Sequence, residues 1–141
     1  MKIDLSAVNW AAVAVAAVAA FLLGGTWYSA IFGKTWIRLH GWTDAKIAEM
    51  KAKTSPPKFF GGMILSYFFV ALAMSFLVVA LDLKGAAAGA CLASILWMGP
   101  AAAITFTGHL ASDRHNGLYF IDAAYQFVAL VTQGIIIASW R

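Results

Sequence analysis

The sequence predicts an all-α polytopic membrane protein: four transmembrane helices in a small bundle, with a short amphipathic segment in the first loop. Three observations carry this reading. Of 141 residues, 62% are hydrophobic and only 11% charged, against roughly 25% charged in soluble domains. Four stretches, about residues 8–32, 59–81, 85–107 and 118–140, reach the roughly 20 residues a helix needs to cross the hydrocarbon core. Six of the ten basic residues fall in the one connection between the first two stretches. The spans leave no room for a soluble domain, so residues 1–141 read as a single transmembrane unit.

In the first span, Lys2 followed by an alanine-rich run has the composition of a signal peptide. The run is too long for one. Apolar character persists from Ala7 to Phe32, broken only by Asn9, Thr26, Tyr28 and Ser29, whereas a signal core is about 7–15 residues. A retained helix is therefore expected, with Trp10 and Trp27 about 26 Å apart along it, one near each interface. Ala12, Ala16, Ala20 and Gly24 recur at every fourth position and form a face that lets another helix approach closely. After Trp27 and Tyr28 come Lys34 and Arg38, which mark where the helix leaves the bilayer.

The first loop has its own helix signal. Thr43 before Asp44 suits a helix start, Ile47 and Met50 share a face opposite Lys46, Glu49, Lys51 and Lys53, and Pro56 with Pro57 is read as the end of the segment. It reads as a stretch lying on the lipid surface, with anionic headgroups as the counterpart of its cations; a solvated loop is the other reading. The same location makes lipid, not nucleic acid, the partner implied by the formal charge of +4.

In the third span Gly85, Gly89 and Ala93 repeat the small-residue spacing, and Pro100 after Gly99 is expected to kink the helix. Cys91, the sole cysteine, reads as a small core residue. The fourth span carries a polar stripe: Asp122, Gln126 and Gln133 fall within about 40° of arc, with Ala129 close by and Tyr125 on the flank. Lipid penalises such a face, so it must point at other helices or at a water-filled cavity. Asp122 lies near the end where Lys34, Lys58 and Arg114 are within reach. Two readings remain open. In one, Asp122 complements its helix N-terminus or pairs with a loop cation while the glutamines bond between helices; in the other, Asp122 is an ion or proton site and the glutamines line a path.

Lysine and arginine counts set the orientation. Lys34, Arg38, Lys46, Lys51, Lys53, Lys58 and Arg114 lie on one side, and Lys2, Lys84 and Arg141 on the other. The richer side is expected in the cytoplasm and both termini outside. His109, Asp113 and His115 offer zinc-type donors within seven residues, but a short polar turn beside Arg114 is the plainer reading. No nucleophile with its base and no phosphate-cradling loop is visible, so neither an enzyme nor a cofactor is expected.

Asn9 and Trp10 before the alanine-rich helix, then Gly24, Trp27, Tyr28, Ser29, Phe32, Gly33, Lys34, Trp36 and Gly41, form a recognisable run. In these residues the chain resembles a family of small four-span bacterial membrane proteins catalogued as a domain of unknown function. Asp122, Ala123, Ala124 and Tyr125 look like that family's pattern at the start of the last helix, where asparagine is a familiar alternative to the acid. The resemblance implies an inner-membrane four-helix protein and supplies no activity. Small four-helix multidrug transporters, by contrast, depend on a carboxylate in the first helix, and this first helix has none. The role expected is structural or accessory, through packing with itself as an oligomer or within a larger membrane complex. The alternative is a small oligomeric transporter or channel that uses the stripe.

Overall fold

A computed structural model describes residues 5–141. Among these residues all regular structure is helical: α1 (Trp10–Thr26), α2 (Gly33–Leu39), α3 (Asp44–Lys53), α4 (Pro56–Ala80), α5 (Ala86–Leu96), α6 (Ala102–Leu110) and α7 (Asn116–Ser139). A π turn at Trp27–Ile31 prolongs α1, and another at Trp97–Ala101 joins α5 to α6. The resulting rods, Trp10–Ile31, Pro56–Ala80, Ala86–Leu110 and Asn116–Ser139, are long and apolar enough to cross a membrane. Lys2, counted above with the outer side, lies outside the described residues.

The helix ends follow from local chemistry. Asn9 Oδ1 accepts from Ala12 N at 3.1 Å and caps α1, while Thr43 Oγ1 accepts from Lys46 N at 3.3 Å and caps α3. On the exposed surface of α3, Glu49 bonds to both Lys46 and Lys53, which hold its carboxyl below the ordinary carboxylate value. Pro56 and Pro57 do not close α3. They open α4, because proline at the first helical positions removes N–H groups that would have no partner there.

The centre of the bundle is α7, with α5 on one side and α1 and α4 on the other; α4 barely meets α5. Ala12, Ala16 and Ala20 are each fully buried, so the small-residue face of α1 is spent inside the chain and does not await a partner. Gly89 and Gly134 make the closest crossing, where a Cβ on Gly89 would run into the Gly134 carbonyl. Ala93 is fully buried at the same crossing. Gly85 is not part of that helical face. It precedes α5 with φ +82°, a left-handed conformation that favours glycine, and its N–H donates to the Ala138 carbonyl at 2.8 Å. Cys91, read above as core, is exposed on the outer surface.

Polarity is inverted relative to a water-soluble bundle. Leu22, Leu65, Phe69, Ile95, Ile104 and Phe120 face outward, all more than half exposed, while Gln133 and His109 are buried. That is the arrangement lipid favours, because hydrocarbon outside cannot satisfy a polar group and polar side chains must find partners inside.

Candidate functional site

The polar residues of α7 meet the end of α1 through a local change in helix geometry. Five residues, Trp27–Ile31, wind as a π turn, and Phe32 N donates to the Trp27 carbonyl at 2.8 Å. The chain then bends into α2 at Gly33, where a Cβ would stand 2.9 Å from the Tyr28 carbonyl oxygen, so only glycine fits without movement. The bend brings two rings onto one carboxylate. Tyr28 Oη donates to Asp122 Oδ1 at 2.8 Å, and Trp36 Nε1 donates to the same oxygen at 3.3 Å.

Asp122 therefore rests on uncharged donors. The cations expected beside it do not pair with it: among the described residues its hydrogen-bond partners are Tyr28 and Trp36, and the ion pairs involve Glu49 and Asp82. Lys34, Lys58 and Arg114 are exposed at the surface, while the carboxylate is already met by Tyr28 and Trp36, whose rings pack edge to face with centres 5.5 Å apart. Behind them His40 stacks on Trp42 at 4.2 Å and meets Trp36 edge-on at 4.3 Å. Its Nε2 is buried without a partner. Burial, helped by the nearby charge of Arg114, holds the His40 imidazole below its ordinary value of 6.5, and Asp122 opposes this.

Further into the bundle, Tyr125 is a buried hub. Its hydroxyl bonds to the Ala20 carbonyl at 3.0 Å and to the Tyr67 hydroxyl at 2.7 Å. A carbonyl can only accept, so the single Tyr125 proton goes to Ala20 and the Tyr67 hydroxyl supplies the proton of the second bond. Gly24 makes room for this ring, since a Cβ there would lie 2.8 Å from Tyr125 Oη. One level on, Gln133 Nε2 donates to the Tyr67 carbonyl at 3.1 Å and, more weakly, to the Ala16 carbonyl at 3.5 Å. Gln126 turns the other way, and its Oε1 accepts from Thr105 Oγ1 at 3.0 Å.

The stripe thus divides among three neighbours: Asp122 to the α1–α2 corner, Tyr125 and Gln133 to α1 and α4, Gln126 to α6. Tyr67 was not singled out in the sequence, yet it joins Tyr125 to Gln133. Its signal was available: it is the only tyrosine in a 25-residue apolar helix. Thr105 and Trp97, whose Nε1 donates to the Ala123 carbonyl at 2.9 Å, were also missed, because their partners lie in another helix.

The conspicuous run around α1 and α2 has structural duties. Asn9 Nδ2 donates to the Trp140 carbonyl at 2.9 Å and ties the start of α1 to the end of α7. Trp27 turns inward, and its Nε1 donates to the Ile121 carbonyl at 3.3 Å while its ring packs on Phe32. Ser29 Oγ donates to the Gly25 carbonyl at 2.6 Å. Trp10 and Lys34 remain exposed. His109, Asp113 and His115 do not converge: His109 Nε2 meets Asn116 Oδ1 at 3.1 Å, His115 Nδ1 accepts from Gly117 N at 3.0 Å, and Asp113 sits in an exposed turn. Among the described residues no group of three or more His, Cys, Asp or Glu side chains is placed to share a metal ion.

Beside Pro100 the helices separate. A cleft of about 430 Å³ lies between α4, the second π turn and α7, with Gln126 and Gln133 on its α7 wall. Pro100 has no N–H for the Leu96 carbonyl, which permits the wider winding there.

Among curated proteins and among solved structures, nothing matches the chain. One protein family does, described as a protein of unknown function, DUF1761, over residues 11–138. That match takes in every membrane-length helix almost from end to end, and the chain belongs to the DUF1761 family.

Proposed function

We propose that the protein is a non-enzymatic inner-membrane protein of bacterial type with a structural or accessory role, working as an oligomer or as a subunit of a larger membrane complex. One observation carries this reading over transport: the polar groups of α7 are engaged with three separate neighbours, and Asp122 is held by neutral rings at one end of the bundle. A conduction path needs polar groups that succeed one another along a continuous route. Association runs through the outward apolar faces, such as that of Leu65 and Phe69, because the small-residue faces are already used within the chain. The basic first loop rests on anionic headgroups in this reading, supported by the exposure of Lys46, Lys51, Lys53 and Lys58.

The test is extraction at native expression into nanodiscs, followed by native mass determination. A stoichiometric complex or a defined homo-oligomer is the expected result. A monomer whose reconstituted ion or solute flux disappears in Asp122→Asn would replace this reading with transport.

A further inference from the structure

We propose that the cleft beside Pro100 binds a neutral, membrane-dissolved molecule that carries a hydroxyl or N–H donor on an apolar body. The volume of about 430 Å³ is that of a small-molecule site, and clefts between helices of a bundle are a usual place for one. Its lining is mostly apolar, with Pro100 and Ala129 among the walls, and the side chains of Tyr67, Thr105, Gln126 and Gln133 bring polar groups to it. No lysine, arginine, histidine, aspartate or glutamate lines it, so a charged ligand would lose its hydration without gaining a counter-ion.

The donor requirement comes from Gln133. This residue is 1% exposed, and its Nε2 is committed to the Tyr67 and Ala16 carbonyls. The hydrogen bonds that Gln133 makes to the described residues run through Nε2, and its side chain lines the cleft. An amide oxygen that opens onto an apolar cleft gains most from a ligand that donates to it. Gln126 adds a second contact: its Oε1 is taken by Thr105, which leaves its Nε2, among the described residues, as the group to offer an oxygen farther along the ligand. Entry is from the lipid side: α4 barely meets α5, and Val70 and Ile104 at the rim are 40% and 72% exposed.

The probe is hexadecanol carrying a mid-chain diazirine, photolysed with the full chain in phosphatidylcholine nanodiscs, beside the matched methyl ether and carboxylate. The alcohol is expected to label α4 and α6 around Val70 and Ile104 about five-fold more than the ether or the carboxylate, the ratio that one net hydrogen bond supplies. Gln133→Met should erase the difference between alcohol and ether. Ala101→Phe, which fills the cleft and leaves Gln133 intact, should abolish cleft labelling by the alcohol, and it decides the matter if Gln133→Met fails to fold. Competition by diacylglycerol would identify a glycerolipid as the source of the donor, and competition by hexadecanol alone a single-chain alcohol. Equal labelling by alcohol and ether, labelling spread evenly over the outer faces, or indifference to Ala101→Phe would overturn the proposal.

Discussion

Asp122 shows how an acid is kept inside a membrane bundle without a counter-ion. One oxygen accepts from both Tyr28 and Trp36, and asparagine offers the same carbonyl acceptor to the same two donors. Asp122→Asn is therefore expected to unfold within about 0.5 kcal/mol of the parent, whereas Asp122→Ala strands both donors and costs about 1–3 kcal/mol. Thermal unfolding in matched detergent separates the two, and equal losses would show that charge, and not acceptance, holds the corner. His40 makes a second prediction at this scale. Its folded-state pKa lies below the ordinary 6.5, so above that value both folded and unfolded imidazoles are neutral and stability is unaffected. As pH falls through 6.5 the unfolded chain takes up the proton first, and stability declines until the folded pKa is passed. Apparent Tm measured from pH 8 to pH 5 should fall less below 6.5 in His40→Gln than in the parent; parallel curves would remove His40 as the cause. Little of this corner was legible in the sequence. Asp122 stood out as an acid in an apolar run, but its donors lie 94 and 86 positions away and reach it only because the chain bends at Gly33.

At the scale of the element, composition reveals the rods, and spacing reveals much less about what each face touches. The four apolar stretches are legible because length and hydropathy alone decide whether a helix can span hydrocarbon. The small residues at every fourth position were legible as packing faces, but a repeat cannot say that Gly89 meets Gly134 or that Gly85 leaves the helix as a left-handed cap. The ends drift by a few residues for local reasons, as when Pro56 starts a helix instead of stopping one. The α5–α7 crossing yields a sharp expectation. Gly89→Ala places a methyl against the Gly134 carbonyl and must push two helices apart, at a cost of at least about 2 kcal/mol. Gly61→Ala meets nothing within 4 Å and, in an exposed helical position, should be neutral or gain up to about 1 kcal/mol. Denaturation of the two variants side by side checks this, and a Gly89→Ala protein as stable as Gly61→Ala would mean that α5 and α7 do not rely on this close approach.

For the whole molecule, the two ends of the bundle are chemically different. At one end Asn9 bonds to the Trp140 carbonyl, and Arg141 donates to the Val78 carbonyl at 2.8 Å and pairs with Asp82 at 2.9 Å. The start of α1 is thereby held to the end of α7, which Arg141 in turn joins to the α4–α5 turn, and the arginine is spent on a helix C-terminus and a carboxylate. At the other end lie α2, α3, the start of α4 and the α6–α7 turn, with Lys34, Arg38, Lys46, Lys51, Lys53, Lys58 and Arg114. There the acidic partner in an ion pair is Glu49, which takes Lys46 and Lys53, so the excess of positive charge at this end survives folding. The rule that cations stay in the cytoplasm acts on short loops near span ends, which describes this end of the molecule. Paired reporter fusions that are active only outside or only in the cytoplasm are expected to place the C-terminus outside. Replacing Lys34, Arg38, Lys58 and Arg114 together by glutamine leaves three lysines, two of them paired with Glu49, and should give a mixed or inverted population. A C-terminus that stays uniformly outside after that change would mean that insertion is directed by something other than these charges, and the hydrophobic asymmetry of the first span would be the next element to alter.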